Sequence, residues 1–173
     1  MEDQVILVNE EDVEIGLMPK LEAHQKGMLH RAFSVFIFNT KGEMLLQRRA
    51  FGKYHSEGLW SNTCCSHPFP EESANRAASR RLREEMGISA DLNFLYTFQY
   101  RVQLENGLTE NELDHVFWGV SDEEPLINTN EVSEYKYIAM SELQADLAQN
   151  PDNYTEWFKI CLVPVVEQIK LKI

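Results

Sequence analysis

The chain has 173 residues, 43% of them hydrophobic and 25% charged, enough for one folded unit and too few for two, so a single domain over residues 1–173 is expected. A formal net charge of -12 argues against general binding to nucleic acid or anionic membranes, and no apolar run approaches the roughly 20 residues that span a bilayer. The start of the chain lacks the basic region and cleavage site of a signal peptide, which points to the cytoplasm, where three cysteines do not make a disulfide framework.

In chain order, "EAHQKGMLHR" first supplies His24 and His30. "AFSVFIFNTKGEMLLQRR" then sets two apolar segments around a polar turn, predicting a β-hairpin. "SNTCCSHPFP" follows, with the adjacent pair Cys64 and Cys65 close to His67. On residues alone, Cys65 is a small buried hydrophobe or a group activated by its surroundings.

"EESANRAASRRLREEMGI" has Ala74, Ala77, Ala78 and Leu82 at helical spacing, with acids expected in the first turn and Gly87 placed to end the helix. "NFLYTFQYR" alternates Phe94, Tyr96, Phe98 and Tyr100, predicting four aromatics on one strand face. "LTENELDHVFWGV" predicts another strand, with Glu110, Glu112 and Asp114 on one side; three carboxylates there repel unless a cation lies among them. "EYKYIAM" reads as a strand. A helix is expected to begin at Ser141, which has capping-box spacing to Gln144. "TEWFKICLVPVVEQIKLKI" reads as a mostly buried helix that Pro164 bends or restarts. The mixture predicts an α+β fold, an α/β/α sandwich whose sheet is not purely parallel.

His24, His30, His67, Glu110 and Glu112 would form a nitrogen and oxygen site for zinc, manganese or magnesium. They follow no short regular ligand motif, so spacing alone favours surface histidines and a solvated strand face. Tyr100 and Trp157 are most simply core aromatics. Arg48, Arg49 and Lys53, with Arg80, Arg81 and Arg83, are cations able to hold a small anion.

The helix segment resembles the Nudix box, G-x5-E-x7-R-E-U-x-E-E-x-G-U: Glu72, Arg80, Leu82, Glu84, Glu85, Gly87 and Ile88 fall in register. Ser66 stands in place of the first glycine, and Arg81 in place of a metal-gathering glutamate, which weakens the alternative of a Nudix hydrolase of nucleoside diphosphate derivatives. With "LHRAFSVFIFN", "LLQRRA", "NTCCSHP" and "ENEL" in order, the chain resembles the type I isopentenyl-diphosphate isomerases from about Val5 to Trp157. That resemblance implies a Nudix fold and interconversion of isopentenyl and dimethylallyl diphosphate in isoprenoid biosynthesis, with monomer or homodimer equally compatible. It implies Cys65 and Glu112 as acid and base, with Tyr100 orienting Glu112 and Trp157 facing a carbocation. It further implies a divalent metal on His24, His30, His67, Glu110 and Glu112, diphosphate cations Lys20, Arg49, Lys53 and Arg81, and a diphosphate-bound magnesium at Glu85.

Overall fold

The computed structural model describes residues 3–53 and 55–170. In order the elements are β1 (Gln4–Val8), β2 (Glu14–Pro19), α1 (Lys20–Lys26), β3 (His30–Phe38), β4 (Met44–Arg49), β5 (Trp60–Ser61) and β6 (Cys64–Ser66). There follow α2 (Ala74–Met86), β7 (Asn93–Gln103), β8 (Thr109–Val120), β9 (Val132–Ile138), α3 (Met140–Gln149) and α4 (Glu156–Lys170). The strands form one mixed sheet: β3 and β8 run parallel, while β7–β8, β4–β9 and β1–β2 are antiparallel.

Period two divides the core between the sheet's faces. Phe33, Val35, Ile37, Leu45 and Phe117 pack with Ala77, Ala78 and Leu82 of α2. Phe36, Met44, Leu46 and Val116 pack on the opposite face with Phe158, Leu162 and Val165 of α4 and Leu143 of α3. Each fully buried Leu contributes about 2 kcal/mol. In α2 the Ser73 hydroxyl caps the amino end by accepting from Arg76 N, and the helix has no acid in its first turn, because Glu71 and Glu72 precede the cap. Gly87 closes it at φ 67°; a Cβ there would lie 2.4 Å from the Leu126 carbonyl oxygen, so only glycine fits.

Several expectations are corrected. The β3–β4 turn forms, but those strands pair only at Phe38 with Met44 and then diverge. Segment 61–65 fills the resulting seam. Thr63 Oγ1 accepts from Ile37 N and donates to Leu45 O, while the Asn62 amide donates to Val35 O. Backbone groups that a hairpin would have paired are therefore satisfied by side chains.

Phe94 leaves the aromatic row, because the register shifts between Phe94 and Tyr96. It lies against His115 and Phe117 instead. The last predicted strand starts and stops two residues earlier, at Val132–Ile138. Helix α3 begins at Met140, so Ser141 sits inside the first turn and caps nothing. Helix α4 runs continuously through Pro164, buries one face, and leaves Ile160 and Val163 exposed. The final residues expected in it, 171–173, lie outside the described residues. Among those described, no helix is long and apolar enough to cross a membrane.

Candidate active site

The alternation of β6 separates the two cysteines. Cys64 is 0% exposed and joins the core under α2, whereas Cys65, opposite Ser34 of β3, lines the central cavity. The Cys65 thiol donates to Asn62 Oδ1 at 3.0 Å and lies 3.5 Å from Ser34 Oγ, whose hydroxyl donates to Asp114 at 2.6 Å. Burial, followed by the Asp114 charge, pushes this thiol well above its ordinary range, so it holds its proton.

A single rung across three strands brings the lining residues Tyr100 and Glu112 together with His30. His30 pairs with Glu112 across the β3–β8 ladder, and Tyr100 pairs with Glu112 across β7–β8. The Tyr100 hydroxyl donates to Glu112 Oε2 at 2.8 Å.

The histidines are not surface residues: His24 and His30 are both 0% exposed. His24 Nδ1 bonds the Lys20 carbonyl at 2.7 Å and His30 Nδ1 the Met28 carbonyl at 2.8 Å. Carbonyls only accept, so Nδ1 carries a proton in each ring and Nε2 faces the acids, as a donor when the ring is charged and with a lone pair when it is neutral. His30 Nε2 lies 3.2 Å from His67 Nε2, and both approach Glu112 Oε1, at 3.4 and 3.0 Å.

Converging ring nitrogens and a buried carboxylate suit a cation. Donor atoms of His24, His30, His67 and Glu112 all lie within 4.8 Å of one another. Glu110 falls in an adjoining group with His24 and His55, and its Oε2 is buried with no hydrogen-bond partner among the described residues. The residues thus fit a divalent metal.

Burial and the adjacent Glu112 charge push Glu110 up to about 7. For Glu112, burial also works upward, but hydrogen bonds from Glu110, His30 and His67 hold it well below the usual carboxylate range. It is therefore the ionised member of the pair.

Burial, then nearby cations, pushes His55 down to about 3; burial does the same to His67. Unfolded, both imidazoles charge below about 6.5. Folded, they stay neutral until about 3, so the unfolded chain binds more protons across that window. The raised Glu110, Asp114 and His24 act in the opposite sense, but only above about 4, where their unfolded forms are not yet fully protonated. Below that, the two histidines and the depressed Glu112 and Glu131 all destabilise the fold as pH falls. Metal-free protein is expected to lose stability steeply from about pH 4 towards 3, measured as urea midpoints against pH.

The same cavity is lined by Lys20, Arg49, Lys53 and Arg81, with Glu85. Burial, then the charges of Lys53 and Arg49, lower Lys20, as expected where cations crowd. The buried Nε–H groups of Arg49 and Arg81 have no hydrogen-bond partner among the described residues, and an incoming anion would supply acceptors. Arg81 bonds Glu84 at 2.9 Å and Glu85 at 2.5 Å, and Gln47 donates to the other Glu85 oxygen at 2.9 Å.

Trp157 opens α4, where Thr155 is tied to β5: its N–H donates to Trp60 O and its hydroxyl meets Ser61 Oγ at 3.0 Å. The Arg49 guanidinium lies 5.2 Å from the indole centre and His55 stands edge-on at 5.8 Å.

Sequence reasoning missed His55, one of two further histidines, which stands two residues after Lys53. It also missed Glu131, which ion-pairs with Lys53 and lies 3.5 Å from Arg81; nothing in its local sequence marked it.

The NUDIX domain model matches residues 28–158. Two relatives from Aromatoleum aromaticum, Isopentenyl-diphosphate Delta-isomerase 1 and 2, are 53% and 50% identical over 96% of this chain and 94% and 88% of their own. The chain belongs to the isopentenyl-diphosphate Delta-isomerase family of NUDIX proteins. Another member of that family, from Pectobacterium atrosepticum, is 52% identical over 91% of this chain and 88% of its own. DR0079 from Deinococcus radiodurans superposes with a TM-score of 0.69 at 21% identity, covering 86% of this chain and 90% of that one. That likeness shows the shared NUDIX fold.

Proposed function

We propose that this protein interconverts isopentenyl and dimethylallyl diphosphate by proton addition and removal through a tertiary carbocation. The observation that carries this is one cavity lined by the Cys65 thiol and the Glu112 carboxylate together with four cations, Lys20, Arg49, Lys53 and Arg81.

An isolated alkene is a weak base, so the acid must be close, oriented and undiluted by water. Cys65 gives its proton to the terminal alkene carbon, leaving positive charge on the branched carbon. Glu112 removes a proton from the carbon next to the diphosphate-bearing methylene oxygen linkage, and the double bond forms there. The cycle consumes nothing: the proton on Glu112 must return to the Cys65 sulfur before the next turnover. Tyr100 holds one Glu112 oxygen in place. The Trp157 ring stabilises the cation by about 2 kcal/mol when water is excluded.

His24, His30 and His67, with Glu112 and the adjoining Glu110, would hold one divalent ion, and this nitrogen-rich set suits zinc or manganese better than magnesium. When bound, that ion supplies charge that keeps Glu112 ionised and fixed in orientation. Glu85 would hold a magnesium that, when bound, neutralises diphosphate charge. Lys20, Arg49, Lys53 and Arg81 bind the diphosphate itself and fix the olefin between acid and base.

Purified protein incubated with isopentenyl diphosphate and magnesium is expected to yield the allylic diphosphate, and activity should disappear on chelation. Release of phosphate without allylic product would instead support a NUDIX hydrolase.

A further inference from the structure

Glu131 stands where an anion site should exclude an acid. Its carboxylate forms an ion pair with Lys53 and lies 3.5 Å from Arg81 Nη2, the same nitrogen that donates to Glu85 at 2.5 Å. Two carboxylates therefore flank one guanidinium within a cavity assigned to diphosphate. The Glu131 side chain is 28% exposed, so water only partly screens it.

This acid cannot swing away with its loop. Leu126 N donates to Met86 O and Asn128 N to Glu85 O, which fastens the loop to the end of α2. Glu131 N donates to Asn128 O, and Glu131 O accepts from Ala50 N. The backbone is thus fixed on both sides of the carboxylate.

A diphosphate that engages Lys53 and Arg81 shares them with Glu131 and Glu85, whose charges then face phosphate oxygens. Such like-charge contact is costly in a partly buried site. It becomes favourable when a hard divalent cation lies between the carboxylates and the phosphate, because magnesium is commonly held by one or two carboxylates together with phosphate oxygens.

We propose that Glu131, acting with Glu85, makes this site selective for metal-complexed over free diphosphate. The proposal rests on the assignment of Lys20, Arg49, Lys53 and Arg81 to the diphosphate.

The test is calorimetric titration of inorganic diphosphate into the protein with its own histidine-bound ion, magnesium being present or simply omitted. The native protein is expected to bind about tenfold or more tightly with magnesium. In Glu131→Gln, which keeps size and removes charge, the magnesium-free affinity should rise and the gain from magnesium fall below about threefold. Glu131→Asp should keep most of the gain, and thermal melting establishes that each variant is folded. A Glu131→Gln protein that is folded and retains the native magnesium gain overturns the proposal, as does an unfolded one if Glu131→Asp loses the gain. Absence of diphosphate binding in native protein under both conditions would instead remove the cation assignment itself, and the proposal with it.

Discussion

Replacing Cys65 with alanine is expected to lower the rate of isopentenyl diphosphate isomerisation by at least about 10³-fold, near the upper part of the range for a positioned general acid. The melting temperature should hardly move, because the thiol faces a polar cavity and contributes little packing. Cys64→Ala should do the reverse. Its sulfur lies in the core under α2, so its loss costs about 1 kcal/mol of stability while turnover stays within a few-fold. Steady-state kinetics and melting curves on both variants check this. The opposite ordering would transfer the acid role to Cys64 and contradict the alternation of β6.

Glu112→Gln should be equally severe for a different reason. Glutamine keeps the shape but cannot take a proton, so turnover should fall by about 10³-fold or more. It also weakens the set formed with His24, His30 and His67, and retained metal, read by elemental analysis, is expected to fall about tenfold after dialysis. The hydrogen bond from Tyr100, 2.8 Å in the native protein, can still be made to the amide oxygen, so gross misfolding is not expected. Full turnover in this variant would exclude Glu112 as the base.

Much of this arrangement is written in local sequence, and the failures have physical causes. Helix α2 was legible because its small apolar residues recur on one face and Gly87 marks its end; its Ser73 cap went unread, and acids were expected where it has none. The puzzle of three acids on one strand was also legible, and the family resemblance supplied a metal site as its answer, but spacing did not, since His24 lies in α1, His30 in β3 and His67 in the loop after β6. Spacing favoured surface histidines; burial of the rings shows why spacing is a poor guide when ligands converge only in space. The β3–β4 hairpin was overread: the turn is local, but whether strands stay paired depends on segment 61–65 competing for the seam. The same holds for Phe94, displaced by a bulge that alternation alone does not announce. His55 was overlooked because its neighbours in sequence carry no ligand pattern.

The rung that joins Tyr100, Glu112 and His30 has a consequence for how the protein acquires its chemistry. Its parallel β3–β8 pairing links segments far apart in the chain, and the entropy of closing so large a loop must be overcome before that contact forms. The proton acceptor and its histidine neighbours are therefore expected to come together late in folding. A metal that recognises only the finished arrangement would stabilise it by mass action, so its retention would report on whether the whole sheet is in register.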